Sequence, residues 1–135
     1  MPVSKVKYEG ALKTRCTHLQ SGAEFITDAP KDNEGEGSAF SPTDLCATSL
    51  ATCMLTVMGI AGRKKELTDI AGAEAEVVKV MYSDPRRIGE IHVRVRFPKM
   101  NFSDKEKKIY ENTALTCPVS RSLHPDILQK IEFEW

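Results

Sequence analysis

The chain has 135 residues, of which 28% are charged, and its 19 Lys and Arg residues balance its 19 Asp and Glu residues to a formal net charge of zero. This balance gives no long-range attraction to nucleic acid or to an anionic membrane surface. The length predicts a single domain over residues 1–135. Such a domain buries roughly two-thirds of its unfolded surface, so it needs no disulfide framework.

The cysteines and histidines set the expected chemistry. The first ten residues lack the apolar core of a signal peptide, so a reducing, cytoplasmic compartment is expected. There the cysteines are expected as free thiols, transient disulfides or ligands. No Cys-x-x-Cys pair is present and the three histidines stand apart, so no metal site is predicted. The four cysteines are Cys16, Cys46, Cys53 and Cys117.

The N-terminal part of the chain is predicted to form strands. Residues 3–28 have short alternating patterns and frequent β-branched residues, which indicate two or three antiparallel strands. Arg15 and Cys16 then lie on opposite faces. Residues 29–39 are rich in turn formers and charge, and they predict a mobile surface loop.

A long helix is predicted over residues 41–65. Ser41 is a good N-cap, Pro42 fits the first helical position, and the Asp44 carboxylate complements the positive helix end. Gly62 is expected to adopt the left-handed conformation that ends the helix. Basic residues follow it and complement the negative end.

The predicted helix carries no charge between Asp44 and Arg63, so it must be buried nearly all round or cross a membrane. Its composition favours burial, because hydroxyl side chains dilute its hydrophobicity and no aromatic belt flanks it. These side chains are Thr48, Ser49, Thr52 and Thr56.

The remaining residues alternate between strands and helices. Residues 67–72 are a connector, and residues 73–82 and 88–97 fit an antiparallel hairpin. Residues 131–135 predict an edge strand. Ser103 and Glu106 form a capping box that opens a second helix. The order of elements indicates an α+β fold with antiparallel sheets around a long central helix.

Two of the thiols stand out. Free cysteines are usually small buried hydrophobes, which is the interpretation preferred for Cys16 and Cys46. Cys53 has no charged neighbour and lies roughly 18 Å along the helix from its start, too far for the helix dipole to ionise it. A reactive Cys53 therefore needs a cation from elsewhere, and Arg15 and Arg121 are the candidates.

Cys117 has a local reason to ionise. Pro118 ends the second helix and begins a short third one, which places Cys117 at an N-cap, with Arg121 one turn on. Two thiols in distinct environments make a dithiol redox site one hypothesis, beside the interpretation that both are inert core residues.

The motifs around these thiols resemble those of the OsmC/Ohr family. They are Ser-Pro-Thr-Asp-Leu at residues 41–45 with Cys53 in the following helix, and Cys-Pro-Val-Ser-Arg-Ser-Leu at residues 117–123. The resemblance implies a thiol peroxidase built as an intertwined homodimer, with an apolar pocket at the interface and no metal or flavin. Cys53 would attack the peroxide, and Cys117 would resolve the sulfenic acid to a disulfide. An external dithiol, such as a dihydrolipoyl group, would reduce that disulfide.

The chain departs from the family pattern at one position. Peroxidases of the family carry a glutamate directly after the helix-opening proline, paired with the arginine that activates the thiol. Here that position is Thr43, and the acid follows at Asp44. The resemblance makes Arg15 the best match for the activating arginine. Either Asp44 substitutes for the glutamate as its acidic partner, or the arginine network is altered.

Two other functions fit the same residues. The fold could serve as a binding or redox-sensing module for a small apolar or thiol-reactive ligand, which the Thr43 departure favours. Alternatively, the protein is structural and all four thiols are inert core residues. Cys46 lies two helical turns before Cys53 on much the same face, so an auxiliary role for it also stays open.

Overall fold

The computed structural model describes all 135 residues. They form two compact units, Met1–Cys46 and Ala47–Trp135. The assignment of the whole chain to one domain stays a prediction. The elements in chain order are β1 (Ser4–Gly10), β2 (Lys13–His18), β3 (Glu24–Asp28), α1 (Pro42–Lys64), β4 (Glu74–Tyr82), β5 (Arg87–Arg96), α2 (Asp104–Leu115), α3 (Pro118–Ser122) and β6 (Leu128–Glu134).

The first unit contains a three-stranded antiparallel sheet in the order β1-β2-β3, as the alternating pattern predicts. A surface loop follows β3 and includes a short 3₁₀ turn at Lys31–Asn33. Asp28 anchors this loop, because its Oδ2 accepts hydrogen bonds from the Ser38 amide at 3.0 Å and the Ser38 hydroxyl at 2.6 Å. These bonds hold the pKa of the fully buried Asp28 carboxyl below its usual range.

The start of α1 confirms the predicted N-cap. The Asp44 amide donates to Ser41 Oγ at 3.1 Å, and the Ser41 amide donates back to Asp44 Oδ2 at 3.0 Å. The two residues therefore satisfy each other's backbone donors in a capping box. The Asp44 carboxylate complements the helix end as predicted.

The end of α1 differs from the prediction, because Gly62 lies inside the helix and does not terminate it. The left-handed residue is Glu66, with φ of 52°. The Leu67 amide bonds Gly62 O at 2.9 Å and the Glu66 amide bonds Arg63 O at 3.4 Å, which together make a Schellman motif. Gly62 is needed for packing instead, because a Cβ there would collide with the Tyr110 hydroxyl.

One face of α1 is buried and the other is exposed, so the expectation of burial nearly all round is wrong for the single chain. The buried face joins the hydrophobic core of the second unit and consists of Ala47, Leu50, Ala51, Met54 and Met58. The exposed face includes Thr52, Thr56, Gly59 and Ile60. By length and hydropathy alone α1 could cross a membrane. Core helices of soluble proteins pass the same test, so this is weak support for a membrane span.

The second unit contains a sheet in the order β4-β5-β6, with β6 at its edge as predicted. The β4–β5 hairpin is antiparallel, but β6 pairs in parallel with β5, so this sheet is mixed. The parallel pairing follows from the crossover through α2 and α3 that returns the chain to the same end of the sheet. Alternate residues of β5 (Ile91, Val93 and Val95) are fully buried, which confirms the predicted apolar face.

The capping box that opens α2 is also confirmed. Ser103 Oγ accepts from the Glu106 amide at 3.1 Å, and Glu106 Oε1 accepts from the Ser103 amide at 3.0 Å. Glu106 Oε2 also accepts from the Thr68 amide at 2.7 Å, so the same carboxylate ties the connector after α1 to the start of α2. These bonds lower the pKa of Glu106.

Candidate thiol site

Within the second unit the structure brings Cys53 and Cys117 together. Their side chains are neighbours, since the Cys53 side chain contributes to the raised pKa of Cys117, and both are free thiols. Cys53 lies on α1 and is half-buried, whereas Cys117 is 1% exposed. Cys53 is therefore the more accessible of the two residues.

Cys117 occupies the N-cap of α3, as the sequence predicts. Its backbone is extended, with φ of −67° and ψ of 153°, and its Sγ accepts a hydrogen bond from the Ser120 amide at 3.4 Å. The Cys117 amide bonds Ala114 O at 3.3 Å. The thiol is therefore held between the end of α2 and the start of α3.

Burial outweighs the helix end in setting the pKa of Cys117. The sequence predicts that the positive end of α3 favours the thiolate. In the structure the pKa of Cys117 is raised, first because the thiol is desolvated and also because the Cys53 side chain lies against it. The Ser120 amide opposes this shift without reversing it. The raised pKa therefore favours the protonated thiol form of Cys117.

A polar pair that sequence reasoning missed lies next to Cys117. Ser120 Oγ donates to Gln129 Oε1 at 2.6 Å, and Gln129 Nε2 donates to Ser120 O at 3.1 Å. A signal for it exists in the sequence. Gln129 occupies the half-buried series of β6 that continues with Ile131 and Phe133, so it is the polar member of an otherwise apolar face.

The two arginines named by the sequence are placed differently. In the first unit, Arg15 Nε donates to Glu9 Oε1 at 2.5 Å, and Arg15 Nη1 lies 3.7 Å from Glu24 Oε1. The hydrogen bond and charge of Glu9 raise the pKa of Arg15. Arg121 is exposed on α3. The activation of Cys53 by either arginine stays a prediction.

The remaining candidates have structural surroundings of their own. Asp44 completes the capping box of α1, and Thr43 Oγ1 lies 3.3 Å from Ser41 Oγ. Cys16 is half-buried beside Thr14, with 3.9 Å between Sγ and Oγ1. Cys46 is exposed, so its expected burial in the core is wrong for the single chain.

The geometry defines a small α+β protein with two neighbouring free thiols, and the comparison with family models shows the family to which it belongs. The model of the OsmC family, described as OsmC-like protein, matches residues 35–132. The chain belongs to the OsmC/Ohr family.

Solved structures agree with this assignment. A protein of Psychrobacter arcticus 273-4, named for osmotic stress induction and a detoxification response, is 58% identical over 99% of this chain and 96% of its own, with a TM-score of 0.94. The organic hydroperoxide resistance protein OsmC of Legionella pneumophila is 15% identical over 100% and 98% of the two chains, with a TM-score of 0.75. OhrB of Bacillus subtilis is 18% identical over 97% of each chain, with a TM-score of 0.67. The last two show the shared fold, and no curated protein matches the sequence.

Proposed function

We propose that the protein is a cysteine-based thiol peroxidase that reduces organic hydroperoxides or hydrogen peroxide. One observation carries this proposal: two free thiols are neighbours, one half-buried and one fully buried. A peroxide must reach the attacking sulfur, whereas a resolving sulfur only needs to reach its partner. The unequal burial supports Cys53 as the attacking thiol and Cys117 as the resolving thiol.

In the first step the Cys53 thiolate attacks one peroxide oxygen. The O–O bond breaks, Cys53 becomes a sulfenic acid, and the other oxygen leaves as an alcohol, or as water from hydrogen peroxide. The sulfur is oxidised by two electrons and the peroxide is reduced by two. The leaving oxygen takes up a proton.

In the second step Cys117 attacks the sulfenic sulfur. The S–O bond breaks, water leaves with the Cys117 proton, and a Cys53–Cys117 disulfide forms. An external dithiol, such as a dihydrolipoyl group, then exchanges with this disulfide and restores both thiols. The cycle uses no metal or flavin.

For the activation of Cys53, we keep the two residues that the family resemblance implies. Arg15 supplies the cation that favours the thiolate, and Asp44 takes the place of the glutamate that the family carries one position earlier. The carboxylates of Glu9 and Glu24 restrict the Arg15 guanidinium, so it is an oriented cation. Arg15→Met should slow the first step and leave the second unchanged.

The protein is further proposed to work in the cytoplasm as a homodimer. The exposed face of α1 carries no charged side chain from Thr52 to Ile60. This face carries no charge that would bind a charged partner, whereas a second copy of the chain presents the same uncharged surface.

A binding or redox-sensing module is the second candidate function. Its support is the capping box of α1, in which the Asp44 carboxylate accepts a hydrogen bond from the Ser41 backbone. Through that bond the Asp44 carboxylate stabilises the start of α1, in addition to its proposed pairing with Arg15. The module predicts stoichiometric reaction of the thiols and no turnover.

Peroxide consumption with excess dithiothreitol separates the two functions. The wild type is expected to reduce many equivalents of tert-butyl hydroperoxide or hydrogen peroxide, and Cys53→Ser none. Cys117→Ser should form the sulfenic acid without the disulfide. Cys46→Ser is the matched control, because this exposed thiol lies on the same helix, and it should retain turnover. Reaction of the wild type with one equivalent or less would contradict the peroxidase.

A further inference from the structure

The side chain of Gln129 is held against the element that carries Cys117. Within β6 the inward positions are Gln129, Ile131 and Phe133, and each pairs across β5 with a buried aliphatic residue. A half-buried amide in such a series loses water on folding, and it is tolerated when its hydrogen bonds are restored. Both ends of the Gln129 amide are satisfied by Ser120 alone.

Ser120 connects this amide to the thiol. Its hydroxyl and carbonyl oxygen are bound by Gln129, and its own amide donates to Cys117 Sγ at 3.4 Å. A run of three hydrogen bonds thus joins an edge strand to the sulfur atom through one residue. Displacement of Ser120 would move the donor that orients the Cys117 thiol.

The short helix has little else to hold it. α3 has five residues, and helices of this length are unstable in isolation. The two Gln129–Ser120 hydrogen bonds form a tether for this helix. Apart from the tether, it is held by its buried N-cap Cys117, whose amide bonds Ala114 O, and by the packing of Val119 and Leu123 on the core. Apolar packing is non-directional, whereas the paired bonds of Gln129 fix both the position and the rotation of the first turn.

We propose that Gln129 is a positioning residue for the resolving thiol: through Ser120 it holds Cys117 in the orientation that lets its sulfur attack Cys53. This inference rests on the proposed function for its peroxide chemistry, but the positioning itself concerns only the two thiols. Bond formation between two sulfur atoms is sensitive to their approach, because a disulfide accepts a narrow range of dihedral angles and Cβ separations. Loss of the tether therefore slows the second step and leaves the first unchanged.

The test measures the two steps separately in a Cys16→Ser, Cys46→Ser background. Gln129→Met keeps the length of the side chain and removes both hydrogen bonds. After one equivalent of tert-butyl hydroperoxide, we expect conversion of the sulfenic acid to the disulfide to slow by about tenfold or more. The fraction of Cys53 oxidised to the sulfinic acid should rise, because the sulfenic acid survives to meet a second peroxide. The rate of sulfenic acid formation, measured in Cys117→Ser by dimedone trapping, should not change.

Control variants distinguish positioning from a general loss of stability. Lys130→Leu alters the adjacent residue on the opposite face of β6 and should leave the second step at the wild-type rate. Ser120→Ala removes only the hydroxyl and tests the tether even if Gln129→Met does not fold. It should slow the second step by itself and add nothing in the Gln129→Met background, because the two residues act through the same contact.

A parallel experiment with diamide as the oxidant distinguishes failure of this inference from failure of the proposed function. Diamide adds the Cys53 thiol across its N=N bond, and attack by Cys117 then forms the disulfide and releases the hydrazine, with no peroxide involved. Slower disulfide formation in Gln129→Met with diamide supports positioning even if the wild type fails to reduce peroxides. A disulfide rate equal to that of the wild type, with either oxidant, would overturn it.

Discussion

At the scale of single residues, the surroundings of Cys117 combine two opposed effects. Desolvation and the neighbouring Cys53 favour the protonated thiol, and the Ser120 amide favours the thiolate. Burial is the larger effect, so the pKa is raised. In the proposed cycle the Cys117 proton must therefore leave as its sulfur attacks, and the resolving step should accelerate as the pH rises toward the raised pKa.

A titration of Cys117 tests this balance. In a variant whose only cysteine is Cys117, the thiolate absorbance at 240 nm should develop at higher pH in the folded protein than in the protein unfolded in guanidinium chloride. The reason is that desolvation, the largest cause of the shift, persists without the other thiols. A folded midpoint at or below the unfolded one would contradict the dominance of burial.

The same shift has a consequence for stability. The pKa of Cys117 is higher in the folded protein than in the unfolded protein. Its contribution to the free energy of unfolding is therefore fully present below the unfolded pKa and is lost as the pH rises through the folded pKa. The urea midpoint of the single-cysteine variant should therefore fall more steeply above pH 8 than that of a cysteine-free control. Parallel curves for the two proteins would contradict the linkage.

At the scale of elements, the contact between α1 and α2 depends on the absence of a side chain. Gly62 of α1 is buried, and the fully buried Tyr110 of α2 lies directly over it. The Tyr110 hydroxyl donates to Thr68 O at 2.6 Å, which ties the same ring to the connector after α1. Tyr110 therefore has little freedom to move away.

Gly62→Ala is expected to destabilise the protein by about 1–3 kcal/mol, because the added methyl group collides with a ring that is fixed by packing and a hydrogen bond. Helix propensity alone would stabilise an alanine by about 1 kcal/mol, so the sign of the effect decides between the two accounts. Urea unfolding monitored by circular dichroism measures it. Gly59→Ala on the exposed face of α1 is the matched control, with both substitutions made in the Ile60→Lys background, and it should stabilise because in the single chain no atom lies within contact distance of its Cβ position.

At the scale of the whole molecule, α1 presents an uncharged face that the single chain leaves exposed. Ile60 is 49% exposed, close to Thr56 and Gly59 on the same side of the helix. In the proposed homodimer this face is covered by a second copy, which removes apolar surface from water on both subunits at once.

Light scattering during gel filtration tests the dimer. The wild type should have twice the chain mass of 15.0 kDa, and Ile60→Lys should shift the mass toward the monomer, because pairing would bury the new charge. Val78→Lys is the matched control, because Val78 is 54% exposed on the second sheet and lies outside α1. A wild-type mass near 15.0 kDa would count against the homodimer.

The sequence by itself determined the features that depend on neighbours in the chain. The caps at Ser41, Ser103 and Cys117 follow from side chains that satisfy amides three residues away, and the face of β5 follows from simple alternation. The resemblance in motifs also identified the family, because both cysteine motifs are contiguous segments.

Tertiary structure decided the features that depend on distant residues. Gly62 is required by Tyr110, 48 positions away, and the helix ends at Glu66 instead. The raised pKa of Cys117 reflects desolvation by the whole core, and its tether comes from Gln129 on a later strand. Burial and contact between distant segments exist only once the chain has folded. Local sequence patterns therefore predicted the wrong direction for the pKa shift of Cys117 and the wrong role for Gly62.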